Sequence, residues 1–462
     1  MGKPPDKAAS ATGSLTKPLT IPDALRLAAP ASLASMATPL LGLVDVWALG
    51  HSSRPLDIAA IGLGAVIFSI VYWTFGFIRM SVAGLGAQAH GRGDEAAVRA
   101  VLAQGIMIGL GAGMSLLVLH VPIGWLAFQL LGTGSNASAE TFQAAQTYYS
   151  IRIWGAPFAL GTYALFGWLT ARGRTDYLMV ASLTMTGVNI ALDYWFVVGM
   201  GHGAAGVAYG TLIAELAGFA IAALFCVAVM KRKGGIRSYW HRNRITDRTM
   251  LRRTISVNFD IFLRTFLLAG SFAWFVQRGS AFGDVTLAAN QALMQLFLLT
   301  GLALDGTAIA AETLVGQAIG ANGAGQDRRL RLANAIRITT IPAIITALLF
   351  ALTYTMFRDP ILGTLTPDGA IRAAARTYFP WVLISPLIVV LAFQLDGIFI
   401  GATRAREMRN GMIASTAVLI PTTILFADWY GNHGLWAAFS LYFLLRAATL
   451  GVYLPRVLKT NG

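Results

Sequence analysis

The sequence contains a single cysteine, Cys226, in 462 residues, so no intramolecular disulfide can form and redox compartment stays open. Charged residues are scarce, 12 % of the chain, and acids are the scarcer sign, 21 against 35 Lys and Arg. No HExxH, GxSxG or GxxxxGK run occurs, and the six histidines are scattered, so nothing marks a metal centre, an acyl-transfer nucleophile or an ATP site. Neither an enzyme nor a cofactor is therefore expected. The shortage of charge also excludes a soluble globular domain, because hydrophobic residues make up 56 % and the mean hydropathy is +0.63.

What the chain has instead is apolar length. A helix needs about 20 mostly apolar residues to cross a bilayer. Twelve such runs occur, over 22–50, 57–89, 96–131, 140–171, 176–198, 203–230, 251–279, 286–318, 328–357, 369–402, 408–427 and 433–457. They predict an all-α membrane protein with twelve transmembrane helices. Residues 1–21 read as a flexible polar tail. "ASMA" at 34–37 imitates a signal-peptide cleavage site, but the apolar run continues through Asp45 to Gly50, too long for such a peptide, so a retained first span is expected.

The net charge of +14 raises the question of nucleic acid, and the placement of the basic residues answers it. Lys and Arg fall on alternate connections. "KRKGGIRSYWHRNRITDRTMLRR" (231–253) carries nine against one acid, whereas "GTGSNAS" and "GMGHG" have none. Arg358, Arg372 and Arg376, on the ninth connection, are a partial exception. The bias predicts both termini in the cytoplasm and no nucleic-acid partner; the location expected for the chain is a bacterial cytoplasmic membrane.

The chain also repeats itself. "AA" at 59–60 recurs at 288–289, "QAHG" at 88–91 as "QAIG" at 317–320, and Pro157 as Pro386, each 229 positions later. "GWLTARGR" (167–174) resembles "GIFIGATRAR" (397–406). Six spans per repeat is an even number, so the two are parallel repeats, an N-lobe over 22–230 and a C-lobe over 251–462 joined by a basic cytoplasmic linker at 231–250. A substrate site between two rocking bundles suits that arrangement.

Charges inside spans are costly and usually face the bundle interior. Asp45 lies five residues inside the outer end of span one, Asp193 six inside that of span five, and Thr211 eight into span six. At about 1.5 Å per residue these form one layer, and Asn189 is one turn from Asp193. Such a set can share a proton, hold a hard cation such as sodium, or serve only as a polar knot that orders the bundle. Asp260 and Arg264, at i and i+4, read as a structural pair. Asp305, Glu312 and Asp396 are candidates to line a C-lobe cavity, or else to pair with Arg. Glu215, Arg79 and Arg446 are further buried charges, the two arginines near enough to the cytoplasmic ends to snorkel. Pro30 sits well inside span one and removes a ladder bond.

"PLLGLVDVWALG" (39–50), "NIALDYWFV" (189–197) with "AYGT" (208–211), "LALDGTAIAAETLVGQAIGA" (302–321) and "DGIFIGATRAREMRN" (396–410) together resemble the multidrug and toxic compound extrusion family, in its DinF-like branch. The resemblance implies two six-helix lobes, alternating access, and export of an organic substrate, an amphipathic cation above all, in exchange for protons or sodium. It implies cation coupling at Asp45, Asn189, Asp193 and Thr211, where sodium is the only metal expected, and a helix-one bend at Pro30. NorM-like members carry a glutamate on helix seven in a C-lobe site, which "SVNFDIFLRTF" (256–266) lacks. The partners expected are the lipid bilayer and a small organic substrate, with the monomer as the working unit. The alternative function is a flippase of a lipid-linked or amphipathic precursor.

Overall fold

The structure, a computed structural model, describes residues 19–52, 55–132, 138–235, 248–321 and 326–459, with backbone alone at 38–52, 55, 132, 248–251, 253 and 326. Among the described residues there is no strand. Among them eight helices are long and apolar enough to cross a bilayer, and the last of these, Ala405–Leu458, is two spans parted at Gly431, whose φ of 56° and ψ of −138° no helix contains. The first span (Ile21–Ser52), the fourth and the fifth bring the number to twelve. Polar caps mark the connections: Asp94 accepts from the Ala97 amide at 3.0 Å and Ser138 from that of Thr141 at 3.2 Å, each satisfying an orphan helical donor.

Four spans of the first half are interrupted: the second at Phe75–Gly76, the third at Leu119, and the fourth and fifth within the bundle. The fourth runs as Ala139–Arg152, one 3-10 turn at Ile153–Gly155, and Ala156–Ala171, restarting with Pro157 in its first turn, where a missing amide hydrogen costs nothing. The fifth, Thr175–Asp193, loosens into a π-turn at Tyr194–Gly199.

The two halves of the chain meet along the first, second, eighth and tenth spans (Ile21–Ser52, Pro55–Thr74 with Phe77–Gly91, Asp284–Gly320 and Gly369–Gly401). Where the second and eighth spans end, the seam is made twice. The Gln88 side-chain amide donates to the Gly401 carbonyl at 2.9 Å and to the Thr403 hydroxyl at 3.2 Å; Gln317, its repeat counterpart, donates to the Ala171 carbonyl at 3.0 Å. Ala171 and Gly401 are themselves counterparts in the repeat, so each half clamps the other through the same pair of positions. The turns that present these carbonyls match as well. Gly173 has φ 67° and its counterpart Thr403 has φ 53°, and Thr403 is the only non-glycine residue in the left-handed region among the described residues. Close approach requires glycine here: a Cβ on Gly91 would collide with the Gln317 carbonyl, and one on Gly320 with that of Gln88.

The first span docks on the eighth around its proline. Ser32 donates to the Ala303 carbonyl at 2.9 Å and Ser35 to Asp305 at 2.8 Å, two and five residues after Pro30. The interiors of the two halves differ. In the second, Phe272, Phe275, Phe297, Phe439 and Phe443 fill the space with ring centroids 4.7–6.4 Å apart.

The exceptional ninth connection is largely neutralised locally. Arg376 stands 2.8 Å and Arg358 3.2 Å from Asp359, and these guanidiniums, Arg376 foremost, hold its carboxyl below the ordinary range. Arg372 caps the Thr366 and Pro367 carbonyls at 3.0 and 3.2 Å.

Replacing Gln88 or Gln317 by Leu leaves a buried carbonyl without its donor. Each variant is expected to cost about 1 to 2 kcal/mol, read as a lowered midpoint of thermal unfolding in detergent, and more than Gln→Leu at exposed Gln143.

Candidate functional site

Asn189 and Asp193 lie on one face of the fifth span and are fully buried against the sixth, Gly203–Arg232. The Asn189 amide donates to the Thr211 hydroxyl at 3.3 Å, and that hydroxyl donates onward to the Val207 carbonyl at 2.9 Å. Asp193 reaches the same place because residue 210 is glycine: a Cβ there would overlap the carboxylate. The Asn189 side-chain carbonyl has no hydrogen-bond partner among the described residues. The structure thus brings three of the four expected coupling residues together, with a carboxylate, a carboxamide and a hydroxyl in one buried place. Asp45 lies in the first helix, but its side chain is outside the described residues. No group of three His, Cys, Asp or Glu suited to a metal ion occurs among the described residues.

Thr211 also faces a central cavity of about 380 Å³. Arg79, Arg152, Glu215 and Asp305 are the charged groups on its wall, with Tyr72, Tyr163, Phe166 and Met185 as the larger apolar surfaces. Asp305, expected on a C-lobe cavity, therefore comes across the seam to one walled mainly by the first six spans. Glu312 is on the same helix as Asp305 but is buried and stands 3.4 Å from Arg79. Arg79 is not snorkelling, since its partner lies inside the protein. Arg152 was missed in the sequence although it lies inside the expected fourth span, 140–171, where the cost of a buried charge is the signal that could have found it. Its hydrogen bond to the Tyr148 hydroxyl (2.6 Å) is an i, i+4 contact within one helix, whereas its place 4.5 Å over the Phe68 ring is a tertiary contact that no spacing signals.

In the second half the charges pair differently from the expected i, i+4 pattern. Asp260 binds Arg409 at 2.6 Å instead of Arg264, while Arg264 and Arg446 both bind Asp396, the latter at 2.7 Å. Two guanidiniums around one carboxylate leave a local surplus of positive charge, and such a site repels a further cation. Asp396 lies in that cluster rather than on the cavity wall.

The MatE family model matches the chain twice, over residues 30–195 and 261–427, the two matches starting 231 positions apart. DNA damage-inducible protein F of Escherichia coli strain K12 is 36 % identical over 432 residues, covering 92 % of this chain and 90 % of that protein. The chain belongs to the MatE family. A probable multidrug resistance protein NorM of Neisseria meningitidis serogroup A is 25 % identical over 354 residues, 76 % of this chain and 75 % of the relative. A crystal structure of MATE in the bent conformation superposes with a TM-score of 0.80 at 19 % identity, covering 94 % of this chain and 95 % of that one. This MatE chain is accordingly a membrane transporter with a twelve-helix fold, and not an enzyme. The double match agrees with the duplication read at an offset of 229.

Two substitutions probe these clusters. Asp396→Asn strands two buried guanidiniums and is expected to cost about 3 to 5 kcal/mol, seen as loss of folded protein on size exclusion in detergent. Gly210→Ala adds one methyl where the Asp193 carboxylate sits, and about 1 to 3 kcal/mol of stability is expected to go with it, measured by thermal unfolding.

Proposed function

We propose that this MatE chain is a secondary antiporter that exports amphipathic organic cations in exchange for protons or sodium. The single observation that carries the reading is Thr211, which belongs both to the Asn189–Asp193 cluster and to the cavity wall. An ion entering the cluster reorders a hydroxyl that faces the substrate, so the two bindings are linked by contact and not by distance.

In this reading the chain lies in a bacterial cytoplasmic membrane with both termini inside, and the lobes over 22–230 and 251–462 rock about the seam. The clamped face is then cytoplasmic, and the conformation is the one closed to the cell interior. An external proton or sodium binds at Asp193, Asn189 and Asp45, the first helix bends at Pro30 where it is tied to the eighth through Ser32 and Ser35, and substrate is released outward. Return requires the Gln88 and Gln317 clamps and the Arg79–Glu312 pair to part. A flippase of anionic lipid-linked precursors is favoured less, because it wants surplus positive charge in the cavity, whereas Arg79 and Arg152 each face a carboxylate, Glu312 and Glu215, with Asp305 in addition.

The test is efflux of preloaded ethidium from vesicles reconstituted with the full chain, under a pH gradient alone and a sodium gradient alone. One gradient is expected to drive uphill efflux in the wild type, and Asp193→Asn and Asp45→Asn are each expected to lower it at least tenfold while remaining folded. Uphill transport retained by both variants would place the coupling elsewhere and overturn the assignment.

A further inference from the structure

Glu215 is on the cavity wall, one turn below Thr211 on the sixth span, and is 92 % buried. Its Oε2 has no hydrogen-bond partner among the described residues. This oxygen is tucked against Gly155 in the 3-10 turn of the fourth span, where any Cβ would occupy its place. Its Oε1 stands 3.8 Å from Arg152 Nη2, beyond hydrogen-bond reach. Arg152 is itself tied to the Tyr148 hydroxyl at 2.6 Å and stacked 4.5 Å over Phe68, so its charge is shared with other partners. The result is a buried carboxylate with acceptor capacity left over.

A second group in the same cavity is in the same condition. The Tyr72 hydroxyl is buried with no hydrogen-bond partner among the described residues. Buried polar groups in folded proteins are almost always satisfied, so two unsatisfied ones facing a single cavity mark the place where a ligand supplies the missing bonds. The charge balance indicates its sign. Arg79 and Arg152 stand against Glu215, Asp305 and Glu312, which leaves one negative charge uncompensated among these groups.

We propose that Glu215 anchors the exported cation, accepting a hydrogen bond from its protonated amine or aryl-amine N–H while Tyr72 meets a second polar atom and the apolar body lies against Tyr163, Phe166 and Met185. This assignment rests on the export reading above and adds to it the class of substrate, a monocation with at least one N–H donor. It also gives the fourth-span break a purpose, since a continuous helix with a side chain at residue 155 would exclude the carboxylate from the wall.

The experiment compares binding of two monocations to the full chain purified in detergent: rhodamine 6G, which carries N–H donors, and tetraphenylphosphonium, which has none. In Glu215→Gln the Kd for rhodamine 6G is expected to rise at least tenfold and that for tetraphenylphosphonium by less than half as much, so discrimination between the two falls. Tyr72→Phe, which keeps the ring and removes only the hydroxyl, is expected to raise the rhodamine 6G Kd about threefold and supports or opposes the assignment even where Glu215→Gln does not fold. Unchanged rhodamine 6G affinity in folded Glu215→Gln, or in Tyr72→Phe where that variant does not fold, overturns the anchor while leaving export intact. Wild-type protein that neither binds nor exports either cation overturns the export reading and the anchor with it.

Discussion

A charge carried into an apolar layer has to find its counter-charge or hydrogen-bond partner inside the protein, because no water stands ready to take its place. Most of this chain's interior is arranged around that requirement. Asp396 lies between Arg264 and Arg446, Glu312 beside Arg79, Asp260 beside Arg409, and the partners in each case come from different helices. These pairs set which helices are neighbours at the depth of the charge, and the apolar side chains pack around them. The oxygens of Asn189 and Glu215 left without a partner among the described residues are then the informative exceptions: that of Glu215 is on the cavity wall, and Asn189 is one hydrogen bond behind it, through Thr211.

The seam between the halves answers a different need. In the proposed antiport it holds in one conformation and releases in another, which favours many short-range contacts of modest strength over a continuous greasy interface. Side-chain amides meeting backbone carbonyls, over glycines that allow the backbones to touch, supply contacts of that kind. Duplication doubles the device at no cost in invention: Gln88 and Gln317 each reach the turn that closes the other half's fourth helix.

Equivalent ancestry has not kept the two interiors equivalent. A knot of Phe side chains fills the second half, whereas the first has a broken fourth span, a π-turn at the end of the fifth, and a cavity. Filling one bundle and opening the other concentrates binding on one side of the seam, and Asp305 joins it from across that seam through the eighth span.

Helix number, span limits and the repeat were legible in the sequence, since bilayer thickness sets the length of an apolar run and duplication leaves a fixed offset. Asn189, Asp193 and Thr211 were legible as a set because depth follows from counting residues at a constant rise per turn. Pairing was not. A charge on one helix is silent about which of several neighbours it faces, so Asp260 and Arg264, adjacent by spacing, bind Arg409 and Asp396 instead. The role of Arg152, the clamp made by the two glutamines and the cavity in which Glu215 lies depend on how twelve helices rotate and lean against one another. That is decided by packing of the whole, where each contact is between residues far apart along the chain.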